Sequence, residues 1–305
     1  MLSGRKDRFK FYFMKTYFEE SELILTAEKK IYHLNLHPDE IAGNIIVVGD
    51  PGRVPAVSKH FDSIDVKVQN RELVTHTGYL NNMRITAMST GMGPDNIDIV
   101  VNELDALANI DLNQRTPKSG HRKLNIIRLG TSGAMQGDIP VDSFVASAYG
   151  LGIDGVLNFY KKTSEIVDKE MNDEFIRQTN WPEFLAKPYI VKASGDLLNK
   201  VAFDMIQGVT ATAPGFFGPQ GRELRGELAI PDLNERLTGF AFNKNRITNF
   251  EMETSALYGL GKILGHDTLT ICVIIANRIA KQFSKDYKPL MEKLITTVLE
   301  RLTAR

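Results

Sequence analysis

Short apolar runs that end in glycine-rich segments constrain the fold of this chain more than any other feature. Strands are predicted at 44–49, 83–89, 124–129, 188–193 and 268–276, and amphipathic helices at 95–110 and 286–302. Three of the strands lead into the segments GDPGR, STGMG and GTSG. Strands that alternate with helices are typical of a mostly parallel sheet covered on both faces, with sites at the carboxyl ends of the strands. The sequence therefore predicts a single α/β domain.

Composition and charge exclude several classes of partner. The 305 residues include 37 Lys and Arg and 37 Asp and Glu, so the formal net charge is zero. Proteins that bind nucleic acid normally carry a basic excess, and we expect no such partner. No apolar run is long enough for a membrane span, so no membrane association is expected. The single cysteine, Cys272, lies in the apolar run LTICVIIA, which predicts a buried thiol in the reducing cytoplasm.

Two arginines are candidates for an anion site. In the loop GDPGR, the backbone N–H of Gly49 and the guanidinium of Arg53 follow directly on a strand, as in many phosphate sites. The alternative is an ordinary Asp-Pro-Gly turn with a surface arginine. Arg128 lies in a predicted buried strand, where a cation needs either an anionic ligand or a carboxylate partner. The residues alone favour neither interpretation of Arg128.

Two other segments carry polar groups next to apolar ones. Phe216, Gln220 and Arg222 combine an aromatic face with an amide and a guanidinium, which suits a planar heterocycle. The alternative is a Gly/Pro-rich loop with an incidental aromatic pair. Glu251 and Glu253 are predicted to enter a helix, where side chains two positions apart diverge by ~200° and cannot share one role. The alternative for them is an acid-rich first helical turn.

Several common catalytic motifs are missing from the sequence. The segment Gly91-Met92-Gly93 leads to Asn96, so it lacks the third glycine of a dinucleotide fingerprint. The six histidines match no metal-binding spacing, and neither a nucleophile elbow nor a P-loop occurs. We therefore expect no metal and no nicotinamide cofactor.

Seven blocks in order along the chain resemble the nucleoside phosphorylase family, and its uridine phosphorylases in particular. The blocks are IYHLNL (31–36), VVGDPGRV (47–54), QNREL (69–73), STGMG (89–93), RLGTSGA (128–134), FFGPQGREL (216–224) and NFEMETSAL (249–257). The resemblance implies a mixed, partly barrel-like central sheet flanked by helices in a domain spanning residues 31–305. Residues 1–30 would then be a basic leader and N-terminal extension, in which Lys10 and Lys15 interrupt any signal-peptide core.

The resemblance also implies a reaction and a set of site residues. The reaction is reversible phosphorolysis of uridine to uracil and ribose 1-phosphate in pyrimidine salvage. The catalytic residues would be Arg53, Arg128, Arg222 and Glu253. Phosphate would be bound by Gly49, Arg53, Arg71, Arg128 and Thr131, ribose by His33, Thr131, Met252 and Glu253, and the base by Phe216, Gln220 and Arg222. Arg71 and His33 would come from a neighbouring subunit, so the expected assembly is a homodimer within a homohexamer.

Two departures from the family pattern affect these expectations. Purine phosphorylases of this fold carry a proton-donating Asp near the position of Asn277, and an amide cannot serve as that acid, which favours a pyrimidine. Some relatives bind a monovalent cation through a Glu and a Ser. Glu72 matches that Glu, but Asn96 stands in place of the Ser, so no cofactor is expected beyond phosphate as co-substrate and the cation is doubtful.

Two alternatives stay open at this stage. One is another enzyme of the same fold, either a purine nucleoside phosphorylase or a nucleosidase that uses water. A nucleosidase has no need of three arginines around an anion. The other is a nucleoside-binding protein without catalytic activity, because a fold alone never establishes a reaction.

Overall fold

The structure is a computed structural model that describes residues 16–304 of the chain. Residues 1–15 of the predicted leader and extension lie outside the described residues. The strands are β1 (Asn44–Val48), β2 (Ser63–Asn70), β3 (Leu73–Leu80), β4 (Met83–Ser89), β5 (Ile110–Asp111), β6 (Thr116–Pro117), β7 (Asn125–Ala134), β8 (Phe144–Gly152), β9 (Tyr189–Lys192), β10 (Ile206–Thr212), β11 (Ala241–Phe242), β12 (Asn245–Glu251), β13 (Asp267–Asn277) and β14 (Gln282–Phe283). The α-helices are α1 (Arg53–Ser58), α2 (Pro94–Asn109), α3 (Thr163–Ile166), α4 (Lys169–Thr179), α5 (Gly195–Val201), α6 (Leu233–Gly239), α7 (Thr254–Leu264) and α8 (Lys288–Thr303).

Five strands close into a barrel. The hydrogen-bonded order is β11-β12-β10-β8-β13-β7-β1-β4-β3-β2, and an additional pairing of β12 with β7 closes β7, β13, β8, β10 and β12 into a ring. The closing pair aligns Asn249 with Ala134 and Phe250 with Gly133. The predicted fold class, a single α/β domain with a mixed and partly barrel-like sheet, is confirmed. The expectation of a mostly parallel sheet is wrong, because the β2–β3–β4 meander and the β8–β13 and β12–β7 pairs are antiparallel.

β7 is longer than the sequence predicts. The apolar run indicates a strand that stops at Leu129 and a turn at GTSG, but the strand continues to Ala134. β13 runs parallel to it from Asp267, opposite Asn125, to Asn277, opposite Ala134. The glycine and hydroxyl residues of GTSG therefore keep a ladder partner, and the predicted turn is wrong.

The two predicted helices form where their apolar stripes place them. α2 and α8 match the predicted ranges to within two residues at each end. The buried face of α2 consists of Pro94, Ile97, Val100, Val101, Leu104, Ala106, Leu107 and Ala108. This stripe packs into the main core together with β1, β4 and the buried side of α7. None of the helices in residues 16–304 is long and apolar enough to cross a membrane.

Part of the N-terminal extension packs on the domain. Leu23 is buried in the main core, and Arg115 donates a hydrogen bond of 2.6 Å from Nη1 to its carbonyl oxygen. A backbone N–H bond of 2.9 Å from Phe18 to the carbonyl of Arg115 adds to this contact. The described part of the extension is therefore docked, while the division at residue 30 stays a prediction.

A tyrosine fixes α7 to the barrel where two strands separate. β13 and β8 pair through residues 271–273 on the β13 side, and pairing stops there. At the next position the hydroxyl of Tyr258 accepts from the backbone N–H of Thr270 at 2.8 Å and donates to the carbonyl of Ser147 at 2.7 Å. Tyr258 is fully buried, and this burial raises the pKa of its phenol. One hydroxyl thus satisfies two buried backbone groups.

Replacing Tyr258 by Phe should destabilise the protein. The substitution keeps the ring but leaves a buried N–H and a buried C=O unpaired, which costs roughly 1–3 kcal/mol. Urea denaturation measures the loss in the free energy of unfolding. Tyr79→Phe, at an exposed site on β3, is the control and should stay within ~0.5 kcal/mol of wild type. Equal stability of the Tyr258 variant and the control would show that the bridge contributes nothing.

Candidate functional site

A cavity of about 700 Å³ opens where four barrel and sheet strands approach one loop. Its lining comes from the segment after β1, the second half of β7, the ends of β12 and β13, and the loop around residues 216–222. The predicted site residues in this lining are Gly49, Arg53, Arg128, Thr131, Phe216, Gln220, Arg222, Met252 and Glu253. The folded chain thus brings together side chains that are up to two hundred positions apart in sequence.

Arg71 and His33 lie outside this cavity. Arg71 is exposed in the turn between β2 and β3, with a φ of 54°. His33 is half-buried, and its Nδ1 lies 2.7 Å from Oε1 of Glu103, which also accepts the His33 backbone N–H at 3.0 Å. Within a single chain neither residue reaches the other predicted groups. Their assignment to a neighbouring subunit stays a prediction.

Arg128 lies between two carboxylates inside the barrel. Its Nη2 donates a short hydrogen bond to Oε2 of Glu253, and its Nη1 lies 3.1 Å from Oε2 of Glu251. All three side chains are at most 5% exposed. The sequence left open whether Arg128 pairs with an anionic ligand or with a carboxylate of the chain. In the structure the guanidinium has buried carboxylate partners. Because Arg128 also lines the cavity, it is placed to meet an anionic ligand as well.

The electrostatics of this cluster follow from burying two acids with one base. Burial opposes the charge of Arg128, but Glu253 and Glu251 outweigh that effect and raise the pKa of the guanidinium. Burial raises the pKa of Glu253 to about 7, against the opposing effect of Arg128, and the negative charge of Glu251 adds to the rise. Cys272, whose Sγ lies 3.7 Å from Nη1 of Arg128, is buried as predicted, and burial raises the pKa of its thiol to about 11.

The sequence argument about the two glutamates is wrong, because neither of them lies within the helix. Glu251 is the last residue of β12 and Glu253 is the residue before α7. In this non-helical connection both carboxylates turn to the same guanidinium. Glu251 was therefore missed as a site residue. All residues from Ile247 to Glu251 are buried, so Glu251 ends a buried strand, and the sequence carries no alternating pattern that could have indicated it.

The loop after β1 combines the two interpretations of GDPGR. Asp50 accepts the backbone N–H of Gly52 at 2.8 Å, as in an ordinary Asp-Pro-Gly turn. Arg53 does not lie on the surface but points into the protein, where its Nη1 donates to the carbonyl of Leu129 on β7 at 3.2 Å. Burial lowers the pKa of Arg53, and the positive charge of Arg128 contributes to the same direction. Two guanidinium groups thus converge on the second half of β7.

The loop at 216–222 presents an amide whose orientation is fixed. Oε1 of Gln220 accepts from Nη1 of Arg222 at 2.6 Å and from Nη2 of Arg278 at 3.1 Å. Two donors on the oxygen leave the Nε2 amide as the group free to donate. The guanidinium of Arg222 also stacks 3.7 Å above the ring of Phe216. This arrangement can donate hydrogen bonds to carbonyl oxygens of a flat ring.

Arg278 is a second residue that the sequence analysis missed. Besides its bond to the Gln220 side chain, its Nη1 donates to the Gln220 carbonyl and to Oδ1 of Asn234 at 3.3 Å. Burial and the nearby Arg222 lower its pKa to about 10. Arg278 directly follows Asn277, the last residue of β13, and its hydrogen bonds to Gln220 show that its side chain turns toward the loop.

Asn277 has a structural role in this chain. Its Nδ2 donates to the carbonyls of Gln136 and Ile139 at 2.9 and 2.7 Å, and its Oδ1 accepts the N–H of Ala280 at 2.8 Å. The side chain is buried, and it is not part of the cavity lining. Among residues 16–304, the hydrogen-bond partners found for Gln220 and Arg222 include no carboxylate. The end of the cavity formed by Gln220 and Arg222 is therefore built from donors without an acid.

The two residues considered for a monovalent cation both line the cavity. Glu72 lies in the turn between β2 and β3, and Asn96 in the first turn of α2 donates from Nδ2 to the carbonyl of Met92 at 3.1 Å. The amide of Asn96 is thus engaged with the segment that precedes its own helix. Whether a cation binds here stays a prediction.

Comparison with known proteins assigns the family. A model described as the phosphorylase superfamily matches residues 44–303. The chain belongs to the phosphorylase superfamily. The resemblance that the seven sequence blocks indicate is thereby confirmed.

The individual relatives include both uridine phosphorylases and purine nucleoside phosphorylases. Uridine phosphorylase from Thermococcus kodakarensis is 28% identical over 276 residues, covering 88% of this chain and 85% of the relative. The crystal structure of a Trypanosoma brucei nucleoside phosphorylase, described as showing uridine phosphorylase activity, has a TM-score of 0.82 at 29% identity and covers 93% of this chain and 100% of that one. A DeoD-type purine nucleoside phosphorylase from Alkaliphilus metalliredigens is also 28% identical, over 244 residues covering 79% of this chain and 85% of the relative.

The raised pKa of Glu253 predicts a specific pH dependence of stability. The folded protein keeps a proton on Glu253 that the unfolded chain, with its usual pKa of 4.5, loses at lower pH. The bound proton on Glu253 therefore stabilises the folded protein fully below pH 4.5, and this stabilisation is lost as the pH rises through about 7. The test compares the melting temperatures of wild type and Glu253→Gln, measured without phosphate. We expect the difference, wild type minus variant, to be more positive at low pH than at high pH. A constant or opposite difference would contradict the shift.

Proposed function

We propose that this chain is a uridine phosphorylase, which transfers the pentosyl group of uridine to phosphate in pyrimidine nucleoside salvage. The observation that carries the proposal is a single cavity that joins Arg53 and Arg128 to the oriented Gln220–Arg222 pair. The uridine phosphorylases among the relatives support the same conclusion. Arginines suit a phosphate, and a pair of donors without an acid suits a pyrimidine with two carbonyl oxygens.

Phosphate would bind between Arg53, Arg128, the Gly49 backbone N–H and Thr131. The guanidinium of Arg128 on β7 and that of Arg53 beside β7 offer charged hydrogen bonds to the phosphate oxygens. One phosphate oxygen then attacks C1′ of the ribose while the bond from C1′ to N1 of the base breaks. Holding the nucleophile next to C1′ converts an encounter between two molecules into a reaction within one complex.

The electron pair of the breaking bond passes into the uracil ring and places negative charge on its oxygens. Nε2 of Gln220 and the Arg222 guanidinium are the donors that would stabilise this charge. A preorganised donor of this type contributes roughly 3–4 kcal/mol in the transition state. Because the leaving base is stabilised as an anion, the reaction needs no strong acid at that end.

Ribose would lie against Met252 with its hydroxyls on Glu253. The ionised carboxylate accepts hydrogen bonds from hydroxyls and attracts the positive charge that develops on the ring. Oε1 of Glu253 accepts the backbone N–H of Gly93 at 2.8 Å. This bond ties the carboxylate to the STGMG loop and fixes one of its oxygens.

A neighbouring subunit would complete each site in our proposal. Arg71 and His33 lie outside the cavity of their own chain, and Arg71 is exposed at a turn from which it can reach another copy. We assign them to the phosphate and to the 5′-hydroxyl of the ribose in a partner's cavity, within a homodimer that assembles into a homohexamer. The cytoplasm is the proposed location.

The direct test is cleavage of uridine with and without phosphate, with inosine assayed in parallel. We expect uracil to form only when phosphate is present, and we expect no turnover of inosine, because no carboxylate of the described residues bonds to Gln220 or Arg222. Cleavage without phosphate would identify a nucleosidase. Turnover of inosine would identify a purine phosphorylase, and binding of uridine without any turnover would identify a non-catalytic binding protein.

A further inference from the structure

The two carboxylates that share Arg128 are held in different ways. Oε1 of Glu251 accepts the hydroxyl of Thr212 at 2.7 Å, and its two oxygens accept the backbone N–H groups of Glu253 and Thr254 at 3.0 and 3.1 Å. Within the described residues, the Glu253 carboxylate accepts from one backbone donor, the Gly93 N–H, besides Arg128, and it lies beside the Glu251 carboxylate. One carboxylate is therefore fixed on the strand and at the start of α7, and the other is bound by a single backbone donor in addition to the guanidinium.

We propose that Glu251 is a positioning residue that keeps Arg128 paired and aimed into the cavity while Glu253 leaves the guanidinium to bind the ribose. The proposal rests on the function proposed above. In it, Glu251 is the permanent partner of Arg128 and Glu253 is the exchangeable one.

A permanent partner is required because of how deeply Arg128 is buried. Nε of Arg128 is buried without a hydrogen-bond partner, and the remaining contact of Nη1 is the weak acceptor Sγ of Cys272 at 3.7 Å. If Glu253 were the only carboxylate, its departure would leave a buried cation unpaired, which is strongly unfavourable. With Glu251 in place, the exchange of Glu253 for a phosphate oxygen keeps at least one anion on the guanidinium throughout.

The rigidity of Glu251 comes from its neighbours. Thr212 ends β10, the strand beside β12, and its hydroxyl both donates to Glu251 and accepts the N–H of Ser255 at 2.9 Å. The first backbone N–H groups of α7, which have no partner within the helix, are thus shared between Glu251 and Thr212. A carboxylate with this many donors has no freedom to follow Glu253 into the cavity.

The experiment compares Glu251→Gln with Glu253→Gln. Steady-state kinetics give KM for phosphate and for uridine, and calorimetry gives the Kd of inorganic phosphate alone. In Glu251→Gln, Arg128 keeps Glu253 as its only charged partner, so we expect Kd and KM for phosphate to rise at least about tenfold and KM for uridine to rise as well. In Glu253→Gln we expect KM for uridine to rise while phosphate binds as tightly as in wild type or more tightly.

A second pair of variants guards against loss of folding. Thr212→Val removes one donor to Glu251, and Thr210→Val removes a buried hydroxyl two residues earlier on the same strand that bonds to Asn249 instead. We expect Thr212→Val to weaken phosphate binding by a few fold and Thr210→Val to leave it unchanged, even if both lower Tm. The control thereby separates a positioning effect from a general loss of stability.

The outcomes also separate this inference from the proposed function. Wild-type phosphate affinity in both Glu251→Gln and Thr212→Val would overturn the positioning role, even with an active wild-type enzyme. The same pattern of KM changes in Glu251→Gln and Glu253→Gln would overturn it too, because the two carboxylates would then be equivalent. A wild-type protein that does not cleave uridine would refute the function, and the phosphate Kd values would still decide the role of Glu251.

Discussion

One guanidinium shared by two buried carboxylates is the interaction on which the rest of this structure depends. Arg128 comes from β7, Glu251 is the last residue of β12, and Glu253 lies in the connection between β12 and α7. The strands β7 and β12 are the two whose antiparallel pairing closes the barrel. Closure of the ring therefore assembles the charged centre of the site, and in return the ion pairs hold the closing strands together. The closure of the barrel and the charged centre of the site therefore depend on the same strands.

The groups that line the cavity act through fixed charges and oriented hydrogen-bond donors rather than through acids that transfer a proton. Arg53 and Arg128 supply positive charge beside β7, and the amide of Gln220, oriented by Arg222 and Arg278, supplies a donor together with Arg222. Such preorganised groups need no rearrangement when charge develops during a reaction. The pKa of Glu253 is raised to near neutrality, and its environment of burial plus a second carboxylate explains why.

Much of this could be predicted from the sequence, because local pattern and motif are informative where the structure is regular. The strands at 44–49 and 83–89 and the buried stripe of α2 follow from apolar runs, and the nine cavity residues follow from the family resemblance of the sequence blocks. What could not be predicted depends on long-range pairing. The length of β7 is set by β13, and the shared role of Glu251 and Glu253 is set by the barrel closure. Arg278 acts through a loop almost sixty residues earlier, and no local pattern indicates such a contact.

Gly130 offers the most direct measurement of whether the aim of Arg128 determines phosphate binding. A Cβ at this position would lie 2.9 Å from Cζ of Arg128, so Gly130→Ala must displace the guanidinium although it adds and removes no charged group. Gly137→Ala, where the nearest side-chain atom would be 3.6 Å away, is the matched control. Calorimetry should show phosphate binding to Gly130→Ala weakened at least about tenfold and binding to the control unchanged. Wild-type phosphate affinity in Gly130→Ala would contradict the assignment of Arg128 as the phosphate ligand.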